Sequence, residues 1–136
     1  MAESRFVTYT NHDKDIVRSG ITAIQEVLMG TDSDRKRSLL FCLDWFMDPY
    51  YGQDISMIKG ELIDLLQTVI ITNNEIDVKE DAIQLLGDYT WGPYEILEKG
   101  DECIEECLKA DVDYIINMHR IAKVEEVLLG ECVNIY

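Results

Sequence analysis

Apolar residues recur along nearly the whole chain at the spacing of an amphipathic α-helix. One stripe contains Val17, Ile21, Ile24 and Leu28, at positions i, i+4, i+7 and i+11. Strand-like alternation is scarce, so the pattern predicts an all-α protein. A chain of 136 residues that is 47% hydrophobic has enough apolar material for one core. We therefore expect a single domain over residues 1–136.

Capping residues and breakers divide this pattern into six to seven helices. Asp32 and Asp54 are suitable N-caps, Asp77 with Glu80 resembles a capping box, and Gly100 is expected to split one element. The predicted helices cover about 13–29, 33–48, 55–71, 77–89, 93–99, 101–110 and 112–129.

A short motif occurs twice, as "DWFMDPY" at 44–50 and "DYTWGPY" at 88–94. At this offset of 44 residues the apolar positions of the preceding helices also correspond. Two-helix repeats of 40–47 residues are typical of HEAT and armadillo arrays. The spacing therefore predicts a HEAT-like stack with a right-handed superhelix, and an irregular helical bundle is the rival interpretation.

Equivalent positions of successive repeats lie side by side, so the two motifs should form one row. A structural interpretation makes each acid a partner of loop amides and each Pro-Tyr pair a fixed corner. A functional interpretation makes the row a surface for a basic protein, with aromatic anchors and acidic side chains that pair with Lys or Arg. The candidate partner-binding residues are Asp44, Trp45, Asp48, Tyr50, Tyr51, Asp88, Trp91, Tyr94 and Glu95.

Net charge favours a basic partner. The chain has 27 acidic and 12 basic residues, which gives a formal charge of −15, and most of the excess lies after residue 44. Such a surface disfavours direct nucleic-acid binding, because phosphate contacts require basic patches. No apolar run is long enough to span a membrane, and the first residues do not resemble a secretory signal. We expect a cytoplasmic protein without membrane attachment.

Catalytic and cofactor motifs are not found in the sequence. It contains no glycine-rich phosphate loop, and neither His12 nor His119 lies in a metalloprotease-type motif. Cys103 and Cys107 are four residues apart, but structural zinc sites usually include a tight C-x-x-C pair. We therefore expect no enzyme activity, no cofactor and no metal, with the four cysteines present as free and mostly buried thiols.

The segment "DVKEDAIQLLGDYTWGPYEILEKG", residues 77–100, and its weaker copy at 34–50 resemble the all-helical immunity proteins that protect bacteria from polymorphic or contact-dependent toxins. Several members of that group have HEAT-like folds. The resemblance implies stoichiometric inhibition of a cognate, basic toxin, such as a nuclease. The alternatives are a HEAT-like scaffold or adaptor and a small enzyme of unknown chemistry, which a cavity joining His119 to carboxylates would favour.

Overall fold

A computed structural model describes residues 9–48, 55–72 and 74–135, with Arg120 and residues 122–135 described by their backbone alone. The described part of the chain is all helical and contains no strand, which confirms the predicted fold class. The helices are α1 (Asn11–Ser19), α2 (Ile21–Leu28), α3 (Ser33–Met47), α4 (Lys59–Ile71), α5 (Ile76–Tyr89), α6 (Glu95–Lys99), a 3-10 turn (Asp101–Cys103) and α7 (Glu106–Ile135).

The helices pack in two rows. The odd-numbered helices α1, α3, α5 and α7 each contact the next, and so do the even-numbered helices α2, α4 and α6. Contacts between α2 and α3 and between α4 and α5 join the rows. Stacked helical hairpins produce this pairing, whereas the HEAT assignment and the right-handed superhelix stay predictions.

Helices α3 and α5 run side by side in the same direction. Near their beginnings the Nε of Arg37 donates to the Oδ2 of Asp81 over 2.9 Å. Near their ends the hydroxyl of Tyr89 donates to the Oδ1 of Asp44 over 2.8 Å. Arg37 and Asp81 are 44 residues apart, so positions related by the sequence repeat are neighbours in space.

Between the rows lies one apolar core. Its fully buried members come from both rows and include Leu28, Leu43, Leu66, Leu86 and Leu108. Helical spacing in the sequence places each of them on the inward face of its helix. The core fixes how α5 and α7 face each other, and this pair frames the site described below.

The first predicted helix, at 13–29, is wrong because the chain breaks at Gly20. Gly20 has φ 106° and ψ −176°, a conformation that residues with a Cβ rarely adopt. Its N–H still donates to the carbonyl oxygen of Val17 over 3.2 Å and closes α1. The apolar stripe therefore continues across two short helices that meet at a corner.

Three other helix starts differ from expectation. Helix α4 begins at Lys59, after a turn, so the predicted start near 55 is wrong, and its expected cap Asp54 lies outside the described residues. Helix α5 follows Glu75 and has no side-chain cap, so the Asp77 capping box is wrong. Pro93 precedes α6 instead of lying in its first turn, and the Gly92–Pro93 peptide bond is cis.

The two helices predicted at 101–110 and 112–129 are one helix, α7, that runs from Glu106 to Ile135. Leu108, Val112 and Ile115 are buried at i, i+4 and i+7, so one apolar stripe crosses the expected break. Gly130 lies inside α7 and does not end it. By contrast, Gly100 does divide α6 from the 3-10 turn, and Asp32 does cap α3 by accepting from the N–H of Arg35.

Candidate functional site

An open cleft lies between α5 and α7 beside the second copy of the repeated motif. We call it the α5–α7 cleft, and its volume is about 500 Å³. Its lining residues come from the end of α5, the following loop and the third turn onward of α7, with one residue each from α3 and α4. They are Met47, Lys59, Gly87, Asp88, Tyr89, Thr90, Trp91, Gly92, Tyr94, Tyr114, Ile115, Met118 and His119.

The cleft continues along the two helices as a shallower groove of about 400 Å³. The two cavities share Gly87, Asp88, Tyr114 and Ile115. At its far end the groove is lined by a pair of carboxylates, Glu80 and Asp111, with Ile83 and Gln84. Together the two cavities form an elongated depression, with Asp88 where they meet and Glu80 and Asp111 at the far end of the groove.

Small residues on α5 and in its loop allow α7 to approach closely. A Cβ built on Gly87 would lie 3.1 Å from the Cγ2 of Ile115. At Gly92 a Cβ would lie 2.9 Å from the Cγ of His119, a distance that real side chains do not tolerate. The imidazole of His119 therefore packs directly on the loop backbone, and the loop forms one wall of the cleft.

The loop that follows α5 is held from inside by Tyr94. Its hydroxyl lies 2.8 Å from the Oγ1 of Thr90, which itself donates to the carbonyl oxygen of Leu86 over 2.6 Å. Tyr94 is 3% exposed, and this burial raises the pKa of its hydroxyl. Tyr94 is part of the core, which favours the structural interpretation of this residue, and its role as a partner anchor stays a prediction.

Helix α4 positions the other end of this loop. Gln67 is buried, and its Oε1 accepts from the N–H of Ile96 over 3.1 Å and from the N–H of Leu97 over 3.2 Å. These N–H groups belong to the first turn of α6, where no intrahelical acceptor is available. The amide of Gln67 thus supplies the cap that α6 lacks in its own sequence.

Three carboxylates contribute negative potential at the Tyr89 hydroxyl. Asp44 accepts its hydrogen bond over 2.8 Å, and Asp48 and Asp88 add negative potential nearby. Burial, the hydrogen bond to Asp44 and these charges raise the pKa of Tyr89 to about 12. The structural interpretation thus fits Asp44, which binds a tyrosine of the neighbouring repeat, although loop amides had been expected as its partners.

Among the predicted aromatic residues that the structure describes, Trp91 is the one with a largely exposed side chain. Its side chain is 71% exposed at the edge of the cleft, next to the exposed Asp88. Across the cleft, α7 presents Tyr114, Met118 and Ile121, which are 64%, 42% and 53% exposed at i, i+4 and i+7. The result is an exposed apolar stripe opposite an exposed indole.

The predicted row is divided between two sides of α3 and α5. Trp45 lies on the α1 side, where its ring is 5.1 Å from that of Phe46 and 6.3 Å from that of Tyr9. The Nζ of Lys14 lies 5.0 Å from its ring centroid, so this face already has a cation. Glu95 is exposed at the start of α6 and does not line the cleft, while Tyr50 and Tyr51 lie outside the described residues.

Sequence reasoning missed the α7 side of the site. Tyr114 and Met118 belong to an exposed stripe of α7 that lies beside its buried stripe. The exposed stripe was missed because the sequence was divided into two helices near residue 111. Had the continuity of α7 been recognised, the i, i+4, i+7 spacing of Tyr114, Met118 and Ile121 would have been the available signal.

The described part of the chain contains no cluster of metal ligands, and Cys42, Cys103 and Cys107 are free thiols. No group of three or more His, Cys, Asp or Glu there is arranged to hold a metal ion. Cys42 is buried, which raises the pKa of its thiol to about 11 and keeps it protonated. Cys103 and Cys107 are free and exposed, contrary to the expectation of mostly buried thiols.

The chain matches no protein-family model, no curated protein and no solved structure. Among the described helices, none combines the length and the apolar character that crossing a bilayer requires. The geometry and charge of the α5–α7 cleft are therefore the features that bear on function.

Proposed function

We propose that the protein is a binding module that takes a basic protein partner into the α5–α7 cleft. The observation that carries this proposal is the exposure of Trp91 and Tyr114, 71% and 64%, on the two sides of a cleft lined by Asp88. Large rings left in solvent around a concave acidic surface are typical of interfaces, where aromatic residues supply most of the contact energy.

The charge of the chain supports a cationic partner. A net charge of −15 gives a negative field that accelerates encounter with a basic surface. Within the depression, Glu80, Asp88 and Asp111 are the acidic residues, against Lys59 and the imidazole of His119. Both the overall charge and the local lining therefore favour the same kind of partner.

In its finer form the proposal is an immunity protein that neutralises a cognate bacterial toxin by stoichiometric binding. The resemblance of residues 77–100 supports it, since this segment supplies the cleft wall. A basic toxin, such as a nuclease, would present to this surface the cations that otherwise contact phosphate. The partner would then be held in the cytoplasm with its active site covered.

Co-expression with the toxin domain encoded next to the gene tests this function. We expect a 1:1 complex and protection of the cell, both weakened by Trp91→Ala and by Asp88→Asn, since both residues line the cleft. Met57→Ala is the matched control, since Met57 is 94% exposed and lies outside the cleft. Unchanged protection by all variants would remove this surface as the interface, and no neighbouring toxin gene would remove the immunity function.

A second candidate function, acid–base catalysis, is favoured by one observation: His119 and Asp88 line the same cleft. A general base normally has a partner that orients its ring. Within the described residues, His119 has no hydrogen bond or ion pair to a carboxylate, so binding is the better interpretation. His119→Gln separates the two functions, since it would abolish catalysis but would weaken partner binding less than Trp91→Ala does.

A further inference from the structure

The α5–α7 cleft combines two features that recognise one kind of side chain. Its lining contains the rings of Tyr89, Trp91 and Tyr114 together with the exposed acidic residue Asp88. Aromatic faces attract cations through the ring quadrupole, and a carboxylate adds a directed charge. A planar guanidinium uses both, because it stacks on rings and is more weakly hydrated than an ammonium.

We propose that the α5–α7 cleft receives an arginine side chain of the partner, held by the rings of Trp91 and Tyr114 and by the carboxylate of Asp88. This inference rests on the proposed function and names the chemistry of the partner at the site. The volume of about 500 Å³ exceeds one side chain, so the neighbouring residues of the partner segment also enter.

The elongated shape of the depression indicates that the partner segment carries a second basic residue. Beyond Asp88, the groove of about 400 Å³ leads to Glu80 and Asp111. A second basic residue of the same segment would meet this carboxylate pair. The fitting partner therefore has two cationic residues separated by apolar ones, which pack on Ile83 and Ile115 in between.

Replacement of Lys59 should change the affinity for arginine in the opposite direction to replacement of Asp88. Its side chain lines the cleft and is exposed, so its ammonium repels a bound guanidinium. Removal of this charge should strengthen arginine binding, whereas removal of the Asp88 charge should weaken it. A merely hydrophobic cleft would respond to neither change.

Titration of the full chain with the peptide acetyl-Gly-Arg-Gly-amide, followed by amide and indole shifts in NMR spectra, tests the proposal. The control peptide carries citrulline, which has the shape of arginine without its charge. We expect shifts at the Trp91 indole and at the Gly87, Asp88 and Gly92 amides with the arginine peptide, and much weaker binding of the citrulline peptide.

Variants complete the test. We expect Asp88→Asn and Trp91→Ala to weaken arginine binding about threefold to tenfold, and Lys59→Gln to strengthen it about twofold. Glu26→Gln is the control, because it removes the same charge on α2, outside the cleft. Equal binding of both peptides, an unaffected Asp88→Asn variant, or shifts located elsewhere would overturn the proposal.

The outcome also separates this inference from the proposed function. Protection against the toxin without arginine binding would refute the arginine anchor and leave the binding module intact. Arginine binding without a protective complex would support the chemistry of the cleft and refute the immunity function. Concentration-dependent self-association that Trp91→Ala abolishes would identify a second copy of the chain as the occupant and overturn the inference.

Discussion

The contact between Tyr89 and Asp44 joins the two copies of the repeated motif. The sequence predicted that the two motifs would lie side by side, and this hydrogen bond of 2.8 Å between the ends of α3 and α5 agrees with that prediction. Periodicity could not predict the tyrosine as the donor, because that depends on the relative rotation of α3 and α5. Within the second copy, Tyr94 is buried whereas Trp91 is exposed, because the Tyr94 hydroxyl is held by Thr90 and Leu86.

Replacement of Tyr89 by Phe should lower the free energy of unfolding by about 1 kcal/mol at neutral pH, because the hydrogen bond to Asp44 is lost. The pKa of the hydroxyl is raised from 10.0 to about 12 by folding. Its contribution is therefore fully present below pH 10 and is lost as the pH rises toward 12. Chemical denaturation at several pH values should show the cost of Tyr89→Phe shrinking over this interval.

Tyr114→Phe is the control for this prediction, since Tyr114 is 64% exposed. It should leave the unfolding free energy nearly unchanged across the same pH range. A constant difference between wild type and Tyr89→Phe from pH 8 to 12 would contradict the assigned role of the carboxylates.

At the scale of helices, apolar periodicity predicted the fold class and the inward face of each helix, because burial follows from spacing alone. Boundaries were less predictable. Gly20 lies in the middle of a good apolar stripe, and the break depends on a backbone conformation that the stripe does not encode. Conversely, the chain around Asp111 contains no breaker, and the division of α7 that we expected there has no physical cause.

Gly20→Ala should destabilise the protein by about 1–3 kcal/mol, because alanine is strained at φ 106° and ψ −176°. No atom lies within 4 Å of a Cβ built at this position, so the cost is conformational and not steric. Gly60→Ala, at an equally open position inside α4, should instead be neutral or stabilise by up to about 1 kcal/mol. Thermal unfolding of both variants measures the contrast, and equal effects would contradict it.

Gln67→Met should destabilise the protein by about 2 kcal/mol, because two N–H groups in the first turn of α6 lose their acceptor. Gln84→Met, an exposed change on α5, is the matched control and should be nearly neutral. Amide exchange should accelerate first at Ile96 and Leu97. Retained protection at both amides in Gln67→Met would show that this side chain does not hold the loop.

At the scale of the whole molecule, an ion pair ties α5 to the segment that leads into α7. The Nζ of Lys79 lies 2.9 Å and 2.8 Å from the two carboxylate oxygens of Glu105, and the lysine side chain is 3% exposed. The hydrogen bond from Lys79 lowers the pKa of Glu105. This pair stabilises the relative placement of α5 and α7, on which the width of the cleft depends.

Glu105→Gln should cost about 1–2 kcal/mol at neutral pH, since a buried ammonium loses its counter-ion while one acceptor remains. Because the pKa of Glu105 is lowered by folding, the contribution is present above about pH 4.5 and is lost as the pH falls through the folded value. Wild type and variant should therefore converge in acid denaturation. Glu102→Gln, an exposed neighbour, should show no such convergence.

The site could be predicted only in part, because it is formed between elements distant in sequence. Charge and the repeated motif indicated an acidic, aromatic surface, and Asp88 with Trp91 lies in the cleft. The residues of α7 that face the cleft depend on the close packing of Ile115 on Gly87 and of His119 on Gly92. This packing cannot be read from helical spacing. The two glycines can be read from the sequence, but the sequence does not indicate which residues of α7 pack against them.

The most direct test of the α5–α7 cleft is amide hydrogen exchange of the protein alone and in complex with the basic protein partner that we propose. If the cleft binds the partner, residues 87–92 and 111–119 should exchange more slowly in the complex. Unchanged exchange in both segments, with protection on another surface, would contradict this account.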